Sequence, residues 1–327
     1  MPELRIDPIV GRQVYVAEER AGRPNDFVTL AGVLPAADLV VARAAEPGCP
    51  FCAGHEGATP HTVAEALDAQ GAWQVRVVPN KFPAMTFAAG EPSAWGAHEV
   101  IIESPRHLLD VAELSVEQLA VVLGVHRDRL RHWAADGRLR HGLIFKNSGS
   151  EAGASLRHVH SQLAATPYVP PVMQAELDGG ARFYQSYKRC VFCDLIEREM
   201  AAGERVVLRQ RGFVAMCAYA GRQPLESWIL PERHAARFDA ADDAELRDLA
   251  AVLHDLLRRL EAVSPGAAYN LLLHSGPFDG AGADSFHWHW ELIPRMAQLA
   301  GFEWGTGLFI NPLSPEHAAE RLRNAGR

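Results

Sequence analysis

Two Cys-x-x-Cys pairs, Cys49–Cys52 and Cys190–Cys193, and two His-x-His pairs, His158-Val159-His160 and His287-Trp288-His289, carry most of the chemistry this chain can offer. A Cys-x-x-Cys turn lets two thiolates reach one tetrahedral ion, and a closed structural zinc site then needs two more nitrogen or sulfur ligands. Histidines at matching distances complete two such sets: Cys49, Cys52, His107 and His158, and Cys190, Cys193, His234 and His287. A single pair could be ordinary buried cysteines near surface histidines. Two copies in the same order point to zinc, as one or two structural ions. A redox role fits poorly, because that motif is expected once, near a βαβ unit. Cys217, in the apolar run 213–218, reads as a buried small hydrophobe.

The His-x-His element asks for more than metal. If residues 156–163 form a strand, then His158, His160 and Gln162 point to one face. One histidine can hold metal while its neighbour faces a substrate, although both could also bind one zinc. Neutral imidazole is a competent nucleophile toward phosphorus, which makes His160 the candidate for a covalent nucleotidyl intermediate. The loop of small residues from Asn147 to Ser155 lies just upstream, where backbone N–H groups can approach phosphate oxygens. The second copy has a comparable loop, 279–285, but Glu291 stands where the first has Gln162. A carboxylate there would repel a phosphate, so the chemistry is expected in the first half and a scaffold in the second.

The elements that must position these residues recur in one order, at an offset of roughly 130 to 140 residues. Each half runs from Cys-x-x-Cys through a strand ending in Ser104-Pro105-Arg106-His107 or Pro231-Glu232-Arg233-His234, then a long helix, a Gly-rich loop and His-x-His. Ser115-x-x-Gln118 reads as a capping box opening a helix to about Trp133, with Asp136-Gly137 as its stop. Its counterpart is expected from near Asp239 to Val263. Residues 75–78, 99–102 and 228–230 read as strands. Pro167, Pro170, Pro171 and Gly179-Gly180 mark a connector ending near Tyr187. The expectation is an α+β protein of two tandem repeats, 1–170 and 188–327, joined by 171–187, each an antiparallel sheet with flanking helices and a zinc site.

Composition narrows the partners. With 327 residues, 48% of them hydrophobic, the chain has material for two cores. A formal net charge of −8 and no basic block argue against nucleic acid, so an anionic substrate must be met by a few placed cations. No apolar run of about 18 residues occurs, and the first residues do not read as a leader, so no membrane association and a cytoplasmic location are expected.

Taken in order, Arg20-x-x-Arg23-Pro24, Cys49-x-x-Cys52-Ala53-Gly54, Asn80-Lys81-Phe82, Ser104-Pro105-x-His107 and Asn147 through Gln162 resemble the motifs of the galactose-1-phosphate uridylyltransferase branch of the histidine-triad superfamily, over essentially the full length. The resemblance implies that His160 attacks the α-phosphate of a nucleotide sugar, expelling sugar 1-phosphate, and that a second phosphorylated acceptor then takes the nucleotidyl group in a ping-pong cycle of the UDP-glucose:hexose-1-phosphate type. It implies that Asn80 and Phe82 hold the nucleotide, that Asn147, Gly153 and Ser155 contact phosphate, and that Gln162 supports the phosphoryl oxygens. Phe82 could equally be core. It further implies that Arg20 and Arg23 lie near the phosphates or a subunit interface, and that the chain is a homodimer. Two departures stand out. The chain has His158-Val159-His160-Ser161-Gln162 where that branch has His-Pro-His-x-Gln, and Gly305-Thr306-Gly307 where it has a hexose-gripping Gly-Tyr-Glu. These, with the 152–155 loop, are closer to the ADP-glucose phosphorylase relatives, which use phosphate as acceptor. From another class, a non-catalytic zinc-stabilised nucleotide-binding protein remains an alternative. A zinc hydrolase does not fit, since four protein ligands leave no open position.

Overall fold

The computed structural model describes residues 2–22, 46–87 and 94–326. Thirteen strands are formed among these: β1 Glu3–Ile6, β2 Gln13–Val16, β3 Ala64–Leu67, β4 Trp73–Pro79, β5 Ala97–Ile102, β6 His141–Ser148, β7 His160–Thr166, β8 Val206–Gln210, β9 Phe213–Cys217, β10 Ser227–Pro231, β11 Tyr269–His274, β12 His289–Pro294 and β13 Phe309–Asn311. The helices are α1 Val116–Ala134, α2 Pro171–Tyr187, α3 Val191–Ala202, α4 Asp243–Val263, α5 Gly301–Thr306 and α6 Pro315–Ala325.

Ten strands make one antiparallel sheet in the order β3-β4-β5-β7-β6-β11-β12-β10-β9-β8. Read outward from the β6–β11 seam, the two halves are mirror images, so the repeat in the sequence is a repeat in space. The α+β architecture of two tandem units with antiparallel sheets is thus present. A small sheet, β1-β2-β13, joins the two ends of the chain, with β13 parallel to β2.

The sheet separates a helix side from a site side. Val75, Val77, Ile101 and Leu163 pack with Leu119, Val122 and Leu123 of α1, and α4 brings Leu249, Leu253 and Leu256 to the same core. On the other face Val78, Val100 and Ile102 meet Phe51. Alternation along β7 therefore puts Ser161 and Leu163 toward the helices and His160 and Gln162 toward the other side.

Helix starts follow their caps. The Ser115 hydroxyl accepts from Gln118 N at 3.1 Å, but the Gln118 side chain bonds Gln74 O and Glu103 O, so only half of the expected capping box forms. The second long helix begins at Asp243, later than Asp239, because the Asp242 carboxylate accepts from Glu245 N at 2.8 Å and residues 238–240 form a separate 3-10 turn. The strand expected from 156 begins only at His160. The connector is helical: α2 opens with Pro171, and Gly179 and Gly180 lie inside it rather than breaking it. Their role is close approach, since a Cβ at Gly179 would collide with Ile9 O and one at Gly180 would lie 2.6 Å from Ser285 O.

Candidate active site and metal clusters

Both sets of four expected ligands come together. Cys49, Cys52, His107 and His158 present ligand atoms within 4.8 Å of one another, and so do Cys190, Cys193, His234 and His287. Tetrahedral zinc with bonds of 2.0–2.3 Å spaces its ligands by about 3.3–3.8 Å. Cys52 Sγ lies 3.4 Å from His107 Nδ1 and 3.7 Å from His158 Nδ1, Cys49 Sγ lies 3.5 Å from His158 Nδ1, and Cys193 Sγ lies 3.4 Å from His234 Nδ1. The far nitrogens of three rings donate to carbonyls: His158 to Ser104 O, His234 to Ala283 O and His287 to Pro231 O. That fixes the Nδ1 lone pair toward the cluster. Burial pushes His158 down to about 4, which keeps it neutral and ready for a cation. The donor sets fit zinc.

His160 follows at the start of β7. Its Nδ1 is 2.7 Å from His158 O. A carbonyl can only accept, so Nδ1 carries the proton and Nε2 keeps its lone pair. Burial, then the nearby Lys146 ammonium, hold the imidazole below its usual range. Lys146, from β6, donates to His160 O at 2.7 Å and to Glu103 at 2.6 Å on the helix side of the sheet. Ser161 bonds His126 Nε2 at 2.7 Å on that same side. The strand that carries His160 is thereby held from behind.

Around His160, Gln162 Oε1 meets His98 Nε2 at 2.9 Å and Asn80 Nδ2 at 3.3 Å. Phe82 is 83% exposed, which removes the core alternative for it. Asn147, at the end of β6, accepts on Oδ1 from Asn270 Nδ2 at 2.9 Å, so its own NH2 is left facing Gly153. Asn270 also donates to Ala152 O, tying the loop to β11 of the second half. Within the loop the N–H groups of Ala152, Gly153 and Ala154 bond back to Gly149 and Ser150 carbonyls. Ser150 and Ser155 are the exposed hydroxyls of this loop, and Asn147 Nδ2 lies against it at Gly153. Arg20 is exposed in the 3-10 turn Glu18–Gly22, and Arg23 lies outside the described residues. Reading of the sequence missed His98, Lys146 and Asn270. A lone polar residue within a strand has no spacing signal, and only the sheet register brings these three to the site.

The second half is closed at the equivalent place. His289 is fully buried, with Nδ1 on His287 O at 3.1 Å and Nε2 without a partner. Helix α2 lies over it, packing Met173 and Leu177 with Phe192, Phe286 and Trp228. Glu176 of α2 meets His274 Nδ1 at 2.9 Å, His274 Nε2 is 3.6 Å from Glu291, and Arg222 pairs with Glu291 at 2.7 Å. Glu176, His274 and His289 also present three ligand atoms within 4.8 Å. Burial lowers the His274 pKa, and the two carboxylates raise it further than burial lowers it.

Residues 1–170 match the family model of the galactose-1-phosphate uridyl transferase N-terminal domain, and residues 176–326 that of its C-terminal domain. The chain belongs to this family. Among galactose-1-phosphate uridyl transferase relatives, the ADP-glucose phosphorylase of Arabidopsis thaliana is 30% identical over 98% of this chain and 92% of its own length. The galactose-1-phosphate uridylyltransferase of Thermotoga maritima is 25% identical over 99% and 98%. A crystal structure of the Arabidopsis phosphorylase with bound ADP-glucose superposes with a TM-score of 0.86 at 30% identity, covering 99% of both chains. A uridylyltransferase structure gives 0.75 at 28% identity, covering 100% of this chain and 98% of that one. Membership makes the protein an enzyme of nucleotidyl transfer. Among the described residues no helix is long and apolar enough to cross a membrane.

Proposed function

We propose that the protein moves a nucleotidyl group from a nucleotide sugar to a phosphate-bearing acceptor through His160. The observation that carries this is the His160 tautomer, with Nδ1–H committed to His158 O and Nε2 left as the nucleophile on the side of the sheet away from the helices. The Nε2 lone pair forms a bond to the α-phosphorus while the P–O bond to the β-phosphate breaks, releasing sugar 1-phosphate. An oxygen of the acceptor then attacks the same phosphorus, breaks the P–N bond and restores the imidazole. Gln162, Asn147 and Ser155 orient the phosphoryl oxygens and offset charge as it builds, which is most of what phosphoryl transfer needs. Phe82 offers an exposed ring to a base, and Arg20 and Arg23 are assigned to the phosphates or a subunit interface. The first four-ligand cluster would hold zinc, which supplies a fixed anchor for the segment entering β7. The second cluster and the covered His289 serve as scaffold. A cytoplasmic homodimer completes this reading, the location in keeping with four cysteines that gather with histidines rather than in disulfides.

Of the two substrate pairs, ADP-glucose with phosphate is preferred. The likeness to the phosphorylase is greater in both sequence and superposition, and Gly305-Thr306-Gly307 offers neither aromatic ring nor carboxylate to a hexose. UDP-glucose with a hexose 1-phosphate is the second reading, favoured by the uridylyltransferase relatives. Initial rates with each pair decide between them. Release of ADP and glucose 1-phosphate with parallel double-reciprocal lines is the expected result. Turnover only with UDP-glucose and hexose 1-phosphate selects the second reading, and intersecting lines without exchange of label into donor would exclude a covalent intermediate.

A further inference from the structure

Two side chains beside the nucleophile, Asn80 and His98, have their orientations dictated by backbone groups that can only donate, and they in turn orient a third, Gln162. Phe82 N–H points at Asn80 Oδ1 at 2.9 Å, so the Asn80 amide turns its NH2 the other way, toward Gln162 Oε1. Ala84 N–H points at His98 Nδ1 at 3.1 Å. An imidazole nitrogen that accepts from a backbone N–H carries a lone pair, so in the neutral ring the proton sits on Nε2, 2.9 Å from Gln162 Oε1. The 3.2 Å approach of Asn80 Nδ2 to His98 Nε2 is then a meeting of two donors that share one acceptor. That acceptor must be the carboxamide oxygen, because an NH2 group there would face two N–H donors.

The register places this network where it matters. His98 pairs with Ala164 across β5 and β7, and Val100 with Gln162, so His98, Gln162 and His160 share the site side of the sheet. With its oxygen held by His98 and Asn80, Gln162 has its NH2 free on that face. We propose that His98 is a positioning residue for nucleotidyl transfer, acting through Gln162 by locking its carboxamide with the NH2 toward the transferring phosphoryl group. Without that lock the amide can rotate and offer an oxygen to an anion, or spend its donors on water. The inference deepens the reading of His160 as nucleophile and rests on it. It also explains why the loop bearing the exposed Phe82 sits against this face: residues 80–84 supply both backbone donors that set the network.

Two measurements test it. Long-range nitrogen–proton NMR on the free, metal-loaded chain reports the His98 tautomer; protonation on Nε2 is expected, and protonation on Nδ1 overturns the proposal. Formation of the nucleotidyl adduct from ADP-glucose or UDP-glucose is then timed in wild type, His98→Phe, Gln162→Ala and the double variant, with folding checked by thermal unfolding and zinc content. Loss of His98 is expected to slow adduct formation by about 10–100-fold, as for other groups that orient a reacting residue. In the Gln162→Ala background the same change is expected to cost less than about 2-fold, because the residue it orients is gone. His98→Gln, which can still donate to Gln162 Oε1, is expected to recover part of the rate. Equal losses in both backgrounds, or no loss in wild type, overturn the role of His98 alone. Absence of any adduct on the wild-type chain overturns the nucleophile reading, and the positioning role falls with it.

Discussion

Lys146 and Glu103 form an ion pair of 2.6 Å with side-chain exposures of 4% and 3%, directly behind the strand that carries His160. Burial alone would raise the Glu103 pKa, yet the Lys146 ammonium, with His126 nearby, holds it below the usual carboxylate range. Replacing Lys146 with Met keeps the length of the side chain and removes the charge. It leaves an uncompensated buried carboxylate, which costs about 3–5 kcal/mol in such settings. The lost hydrogen bond to His160 O adds about 1 kcal/mol. Removing both charges, as Glu103→Leu with Lys146→Met, abolishes the imbalance, and its cost is expected within about 1–2 kcal/mol of wild type. Urea unfolding of the zinc-loaded protein, followed by intrinsic fluorescence, measures both. If the double variant is as unstable as Lys146→Met alone, an unpaired charge is not the source of the loss and the reasoning fails.

Other consequences are open to similar checks. Cys49→Ala is expected to lower bound zinc by one ion per chain, read by atomic absorption, and to lower the unfolding temperature before any effect on rate is considered; full stability with that zinc missing would contradict a structural role. Burial pushes His126 down to about 4 while an unfolded histidine titrates near 6.5, so between those pH values the unfolded chain binds the extra proton and stability falls as pH falls. At pH 5 that amounts to about 2 kcal/mol relative to pH 7, and His126→Gln should flatten this part of the urea-midpoint profile. Gly180→Ala places a methyl group 2.6 Å from Ser285 O and should cost about 1–3 kcal/mol by forcing α2 off the second half; an unchanged midpoint would show that α2 shifts freely.

The parts of this fold that were legible in the sequence are those with periodic or paired signals. The Cys-x-x-Cys turns, the matching histidines and the long apolar helices recur in both halves, and repetition made each element corroborate the other. Where the sequence misled, a residue type had two physical uses. Gly179-Gly180 reads as a chain breaker, but within α2 the missing Cβ atoms allow the helix to touch Ile9 O and Ser285 O. Asp239 was a reasonable helix opener, but Asp242 holds the cap. The 156–159 segment continues the alternation of β7, yet its backbone is drawn elsewhere, Val159 N–H bonding Leu108 O. His98, Lys146 and Asn270 could not be found from spacing, because no motif marks them and only the pairing of β5, β6, β7 and β11 brings them to the site. The covering of His289 by α2 was equally invisible, although Glu291 had already marked that half as unsuited to a phosphate.

The central claim is that Nε2 of His160 becomes covalently nucleotidylated. Intact-protein mass spectrometry after brief incubation with ADP-glucose, and separately with UDP-glucose, tests it most directly, in wild type and His160→Ala with zinc content matched. The account predicts a gain of one nucleotidyl mass in the wild-type chain, removed by acid and by the acceptor, and none in the folded variant. An adduct that persists in His160→Ala, or turnover by wild type without any adduct under single-turnover conditions, would contradict it.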